Sequence, residues 1–191
     1  LNPDKFRSIF NKYDKNDIIR CIEKNDAVLE KGREVGELAK GLFGEYVDVP
    51  FDIDLTVSIE KTEELLKNKP NVITEASFGF ENNFCSVDIL KNDVDGVEIY
   101  EVKSSTKIDD IYIDDAAYQY FVLSSLGLNV KKASIVYINN EYIRENELEL
   151  DKLFKIDDVT SEVIEKQTEI KSNIEFFNEF MEANDSEPVK D

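Results

Sequence analysis

The chain lacks histidine and tryptophan altogether, and in 191 residues it has two cysteines, one methionine, four prolines and seven glycines. Without histidine there can be no Ser-His-Asp or Cys-His machinery and no histidine-liganded zinc. Cys21 and Cys85 are too few and too far apart for a thiolate metal set, and they read as small buried hydrophobes. Any metal must then be held by oxygen, which favours hard cations such as magnesium, manganese or calcium. Long apolar runs are missing too: none approaches the ~20 residues of a membrane-spanning helix, and no apolar leader follows a basic start. The chain therefore reads as soluble and cytoplasmic, with no membrane partner. Leu1 in place of an initiator Met, and the polar ending "NDSEPVKD", read as a piece of a longer chain whose remainder is a partner of this one.

Positive charge is scarce, with 23 Lys and Arg against 42 Asp and Glu for a net charge of −19. Such a balance ordinarily argues against nucleic acid, whose binding is largely phosphate neutralisation. The distribution softens the objection. Residues 1–46 carry nine basic and nine acidic side chains, and the excess is concentrated in 47–103 (thirteen acidic, five basic) and 145–191 (fifteen acidic, five basic). The second block reads as a solvated acidic face or a docking face for the rest of the chain.

What is present is enough for a core: 41% hydrophobic and 10% aromatic residues, in a length that suits one domain. Residues 17–43 predict a helix, with Val28, Val35, Ala39 and Leu42 or Phe43 at helical spacing. Gly32 and Gly36 fall on one side of it and would let that side approach another backbone closely. "YVDVPF" is a short extended piece, and a charged helix around 56–67 ends at "KNKP". Three apolar runs follow, "NVITEASFGF", "FCSVDIL" and "GVEIYEVKSS", separated by the hairpin-type sequences "ENN" and "KNDVDG". "DDAAYQYFVLSSLGL" predicts a helix with Asp114 or Asp115 as N-cap and Gly127 just past its end. "NVKKASIVYIN" then returns as a strand, parallel to a neighbour because a helix connects the two. An amphipathic helix over 158–182 carries Val163, Ile164, Ile170, Ile174, Phe177 and Met181. The expected fold is α/β: a mixed sheet made of a three-strand meander, a crossover helix and a further strand, flanked by helices. By domain it reads as 1–157, then a helix over 158–183 packed on or extending from it, then a polar tail at 184–191.

Two opposite charges interrupt the central run. Val97, Ile99, Glu101 and Lys103 share one face of that strand, with Glu98, Tyr100 and Val102 on the other. An ion pair near burial gains little stability once its desolvation is counted, so function is the better reason to keep Glu101 and Lys103. Asp88, in "FCSVDIL", is a third charge amid apolar neighbours. Pairing the two runs antiparallel around a turn centred near 93–95 sets Asp88 opposite residue 100 or 101. Two carboxylates so close repel unless a cation lies between them, and Lys103 would reach a metal-bound water or a phosphate oxygen. This is the pattern of metal-assisted attack of water on a phosphodiester.

Asp88 followed by "E-V-K" at 101–103, on a strand-turn-strand that leads into a helix and a strand, resembles the PD-(D/E)xK nuclease superfamily. Val87 stands where the proline of that name would be. "GREVGELAKGLF" (32–43), "EASF" (75–78), "EVKSST" (101–106), "DDAAYQYFVLSSLGL" (114–128) and "ASIVYINNEYIR" (133–144) resemble the RecB-type exonuclease branch, and within it the N-terminal nuclease domain of an uncharacterised bacterial family. The resemblance spans roughly 28–165. It implies a restriction-endonuclease-like core, a magnesium or manganese ion and DNA as substrate, as single strands or ends. Asp88 and Glu101 would be metal ligands, the Val102 carbonyl a third, and Lys103 the residue that positions or activates the attacking water.

Gln119 matches a glutamine beside the active site in that branch, though its partner aromatic is Leu123 here. Gly36 stands where the branch carries an added His or Glu ligand, and Glu37 or Glu34 could substitute. Glu75 resembles a glutamate of the first strand in that branch, or else it faces outward. Tyr118, Tyr120, Phe121, Tyr137 and Tyr142 either stack on bases or pack the core. A nuclease-fold module that binds or scaffolds without cutting is the second reading. A sugar hydrolase is a third, disfavoured because its paired carboxylates work about 5 to 10 Å apart without an adjacent lysine.

Overall fold

A computed structural model describes the backbone of residues 30–185 and the side chains of 30–179. The expected helical stretch 17–29, with Cys21 and Val28, the side chain of Met181 and most of the polar tail lie outside the described residues.

The architecture is α/β, a six-stranded mixed sheet flanked by helices on both faces. In chain order, α1 covers 30–40 and runs into a 3-10 turn at Gly41–Phe43. Then come β1 (Val47–Asp48), α2 (Leu55–Asn68), β2 (Val72–Phe80), β3 (Asn83–Asp93), β4 (Gly96–Lys103), α3 (Asp110–Ser125) and β5 (Val130–Ile138). The chain continues through α4 (Leu150–Leu153), β6 (Phe154–Asp158), α5 (Thr160–Glu165) and α6 (Gln167–Asp185). The strands lie in sequence order across the sheet. β1 pairs with β2 and β4 with β5 in parallel, each across a helix, and the remaining pairs are antiparallel.

Local chemistry explains most boundaries. Asp54 caps α2 by accepting from Thr56 N (3.1 Å), and Lys69 ends that helix in the left-handed conformation (φ 52°). The two hairpins close through two residues each, Glu81–Asn82 and Val94–Asp95, between the pairs Phe80–Asn83 and Asp93–Gly96. The second turn is centred where the sequence places it. α3 is capped by Asp109, not by Asp114 or Asp115: its side chain accepts from Ile111 N (3.3 Å), and "DDIYI" extends the helix by a turn. Gly127, at φ 82°, closes α3 as expected, with Leu128 N donating to Leu123 O (3.1 Å).

The C-terminal region differs from the expected single helix. Residues 154–158 form edge strand β6, Thr160 opens α5, and Lys166 separates α5 from α6. Val163 is fully buried and Ile170 packs against the core, whereas Ile164 and Phe177 remain exposed.

One face of the sheet packs against α2, α3, α5 and α6 through Ile73, Val87, Ile99, Leu123, Ile135 and Val163. The other packs against α1, the 3-10 turn and α4 through Val72, Ile89, Tyr100, Val136, Ala39 and Phe154. Burial on both faces is why the strands read as near-continuous apolar runs. Tyr118, Tyr120, Phe121 and Tyr137 pack against the first core, so their principal use is structural. Cys85 is buried there as well, and burial pushes its thiol up to about 12, which makes it an inert hydrophobe. No helix of the described residues is long and apolar enough to cross a membrane.

Candidate active site

Strict alternation would keep odd-numbered residues of β3 on one face, yet Val87 and Leu90 both enter the first core and Ile89 enters the second. β2 makes the same switch between Ile73 and Ala76. Register is unchanged across the switch, with Thr74 opposite Ile89 and Ala76 opposite Val87. The residues at the switch, Glu75 and Asp88, drop out of the ladder together. Glu75 sits there at φ 55°, a conformation costing a non-glycine residue about 1 kcal/mol or more. Such a local break re-aims side chains, and here it turns two carboxylates toward one opening.

The β3–β4 ladder ends at Ile89–Tyr100, and one further step would set Asp88 opposite Glu101, as the hairpin register predicts. In place of a backbone pair, Val102 N donates to Asp88 Oδ2 at 2.7 Å. The two strands fork at this point. Glu101, only 7% exposed, has both oxygens engaged: Oε1 by Lys103 Nζ at 2.7 Å and Oε2 by Gln119 Nε2 at 2.6 Å. Lys103 also pairs with Asp115 and lies 5.1 Å from the centre of the Tyr112 ring. Asp115, expected as a helix cap, is therefore the second carboxylate on Lys103, one turn before Gln119 on α3. Gln119 Nε2 also donates to Ser86 O (3.4 Å), and its Oε1 is buried without a partner. Leu123, one turn beyond Gln119, is wholly core.

The cleft in front of this fork has a volume of about 400 Å³ and is lined by Glu75, Asp88, Glu101 and Val102 from the sheet and by Gly32, Arg33, Gly36 and Glu37 from α1. The expected close backbone approach at the glycines is not what forms: a Cβ at Gly32 or Gly36 would meet nothing within 4 Å. The two glycines instead keep the helix wall of the cleft open. Glu37, which helical geometry alone turns away from Gly36, lines the cleft nonetheless, whereas Glu34 is exposed and is not among the lining residues. Glu75 is half-buried and lines the cleft, so it is not an outward-facing strand residue.

Lys40 was not anticipated. It is 7% exposed, and its ammonium lies 2.8 Å from Glu37, 2.9 Å from Asp48 and 3.8 Å from Glu75. Asp48 is fixed in turn by Thr74 Oγ1 at 2.6 Å. A lysine one turn after Gly36 on α1 could have been suspected from helical spacing. Two of the three carboxylates it meets, Asp48 and Glu75, come from β1 and β2, a juxtaposition that only the fold supplies.

Charge in the cleft is under tension. Burial and then the neighbouring Glu101 hold Asp88 well above the usual carboxylate range, against the Val102 N–H that favours its ionised form. Burial also raises Glu75, with Lys40 opposing. Burial pulls Lys103 and Lys40 down, but their carboxylate neighbours outweigh it and raise both, so each is held as an ammonium. Asp88 and Glu101, with Val102 beside them in the cleft wall, offer oxygen donors only, and two carboxylates that repel suit a hard cation that keeps several waters. Among the described residues no group of three or more His, Cys, Asp or Glu side chains is gathered to hold a metal by itself. The chain matches no protein-family model and no curated protein.

Proposed function

We propose that this is a divalent-metal-dependent deoxyribonuclease of the PD-(D/E)xK type with a restriction-endonuclease-like core, hydrolysing DNA phosphodiesters as an exonuclease. The observation that carries the reading is the fork itself: where β3 and β4 separate, Asp88 and Glu101 both line an open cleft, and Lys103, behind the cleft wall, is held on Glu101 at 2.7 Å. Asp88, Glu101 and the Val102 carbonyl would hold magnesium or manganese, with water completing the shell. When bound, the ion would supply an activated water and neutralise charge developing on the phosphoryl oxygens.

The remaining roles belong to the chain's own groups. Lys103, fixed between Glu101 and Asp115, donates hydrogen bonds to the attacking water or to a phosphate oxygen. Gln119 holds the second oxygen of Glu101 and so sets the plane of that carboxylate; it is a positioning residue. Lys40 pairs with Glu37 and Asp48 and offsets part of the negative charge on that wall of the cleft. Lys103→Ala and Asp88→Ala should each lower metal-dependent DNA cleavage by roughly a hundredfold or more, with unchanged far-UV circular dichroism. Cleavage that survives both substitutions would remove the assignment.

Two observations favour a second reading, a nuclease-fold module that binds without cutting. Both Glu101 oxygens already have protein partners, and Gly36 offers no ligand. Calorimetric titration with manganese separates the two, because the binding module takes up no metal at millimolar concentration.

A further inference from the structure

A second cleft, of about 470 Å³, shares the walls Glu37 and Glu75 with the first and continues past them to Lys40, Phe51, Phe84 and Ser86. We propose that it is a nucleobase pocket, receiving the base next to the scissile phosphate so that the enzyme prefers single-stranded or frayed DNA ends. This deepens the nuclease reading and rests on it.

Phe51 is the first reason. It is 84% exposed and its neighbour Ile53 is 93% exposed, a display of apolar surface that the core does not use. It does not sit on a loose loop. Val49 is buried and its N–H donates to Thr74 O (2.9 Å), Ser58 Oγ donates to Pro50 O (3.2 Å), and Asp54 is tied to Thr56. The ring is thus presented at the rim of the cleft by a segment anchored on both sides.

The charge of the pocket is the second reason. Glu37, Asp48 and Glu75 surround the single ammonium of Lys40, so this end repels phosphate and suits an uncharged planar group bearing N–H donors. The phosphate would lie at the other end, beside Lys103. Every base offers a ring face to an aromatic side chain, which gives sequence-tolerant binding. A base in a duplex must first leave its stack, and a single strand or frayed end avoids that cost.

The test uses a short single-stranded oligonucleotide with 2-aminopurine at its terminal position and the Lys103→Ala protein, which leaves the strand uncut. Binding should change the fluorescence, and adding Phe51→Ala should weaken it by at least roughly fivefold, the lower end for losing one base–aromatic stack, while Phe51→Trp restores it. Phe51→Ala alone should raise KM for single strands with kcat retained. Unchanged binding and KM in Phe51→Ala, with wild-type cleavage intact, would overturn the pocket and leave the nuclease reading standing. A wild-type protein that neither cleaves nor binds the oligonucleotide would overturn both. A Phe51→Ala change that spares DNA binding but dissociates a wild-type dimer would overturn the pocket in favour of a protein contact.

Discussion

Asp88→Asn should stabilise the fold at neutral pH without divalent metal while abolishing the proposed chemistry. Cross-strand neighbours stand about 5 Å apart, and at an effective dielectric near 20 two like charges at that distance repel by about 3 kcal/mol. Asparagine removes that repulsion from Glu101 and the desolvation of a carboxylate. It still accepts from Val102 N–H, and exchanging a charged for a neutral acceptor loses about 1 kcal/mol. The attraction of Asp88 to Lys103 is lost as well, so the net gain should be about 1 kcal/mol, or about 2–4 °C in Tm. The sign follows from linkage: the folded-state pKa of Asp88 is raised, so wild type gains relative stability as pH falls through that raised value. The advantage of the variant should be full above it and vanish as pH falls through the ordinary Asp range. Thermal melts with chelator between pH 4 and pH 8 measure this. A variant less stable than wild type at pH 7 would refute the reasoning, because Asp88 would then be a structural partner of Val102 and not a strained ligand.

Divalent metal should reverse the ranking. Manganese at 100 times its Kd should stabilise wild type by about 2.7 kcal/mol and leave Asp88→Asn unmoved, read as Tm with and without chelator. Lys40→Met should destabilise by only about 1 kcal/mol in denaturant titrations, since the carboxylates it leaves unpaired, Glu37, Asp48 and Glu75, are each two-fifths or more exposed and screened by water. Gly36→Ala should stabilise by about 0.5–1 kcal/mol, because the position is helical and open, and Gly36→Pro at the same place should unfold α1. Gln119→Ala should slow cleavage more than it weakens DNA binding, a kcat effect expected of a residue that orients Glu101.

Much of the frame was legible because it rests on short-range chemistry. The hairpin "KNDVDG" sets Asp88 against Glu101, Gly127 ends α3, and the helical connection makes β5 parallel to β4. What escaped depends on tertiary context. β6 is five residues long and only Phe154 of it is buried, so "FKIDD" has too little alternation to announce a strand. Asp114 and Asp115 resemble a cap, but Asp109 caps the helix and Asp115 is drawn to Lys103. The paired face switch at Glu75 and Asp88 breaks the period of two from which strand faces are read, and it is invisible to any single-strand pattern. Lys40 carries no sequence signal of its role, since nothing local says that β1 will deliver Asp48 to it.

The most direct measurement is the release of nucleotides from linear DNA by the wild-type protein in magnesium or manganese, with chelator and with closed circular DNA as controls. Hydrolysis of linear DNA that requires the metal, spares the circle and is lost in Asp88→Asn is the predicted result. No release in either metal, or release that persists in chelator, would contradict the account.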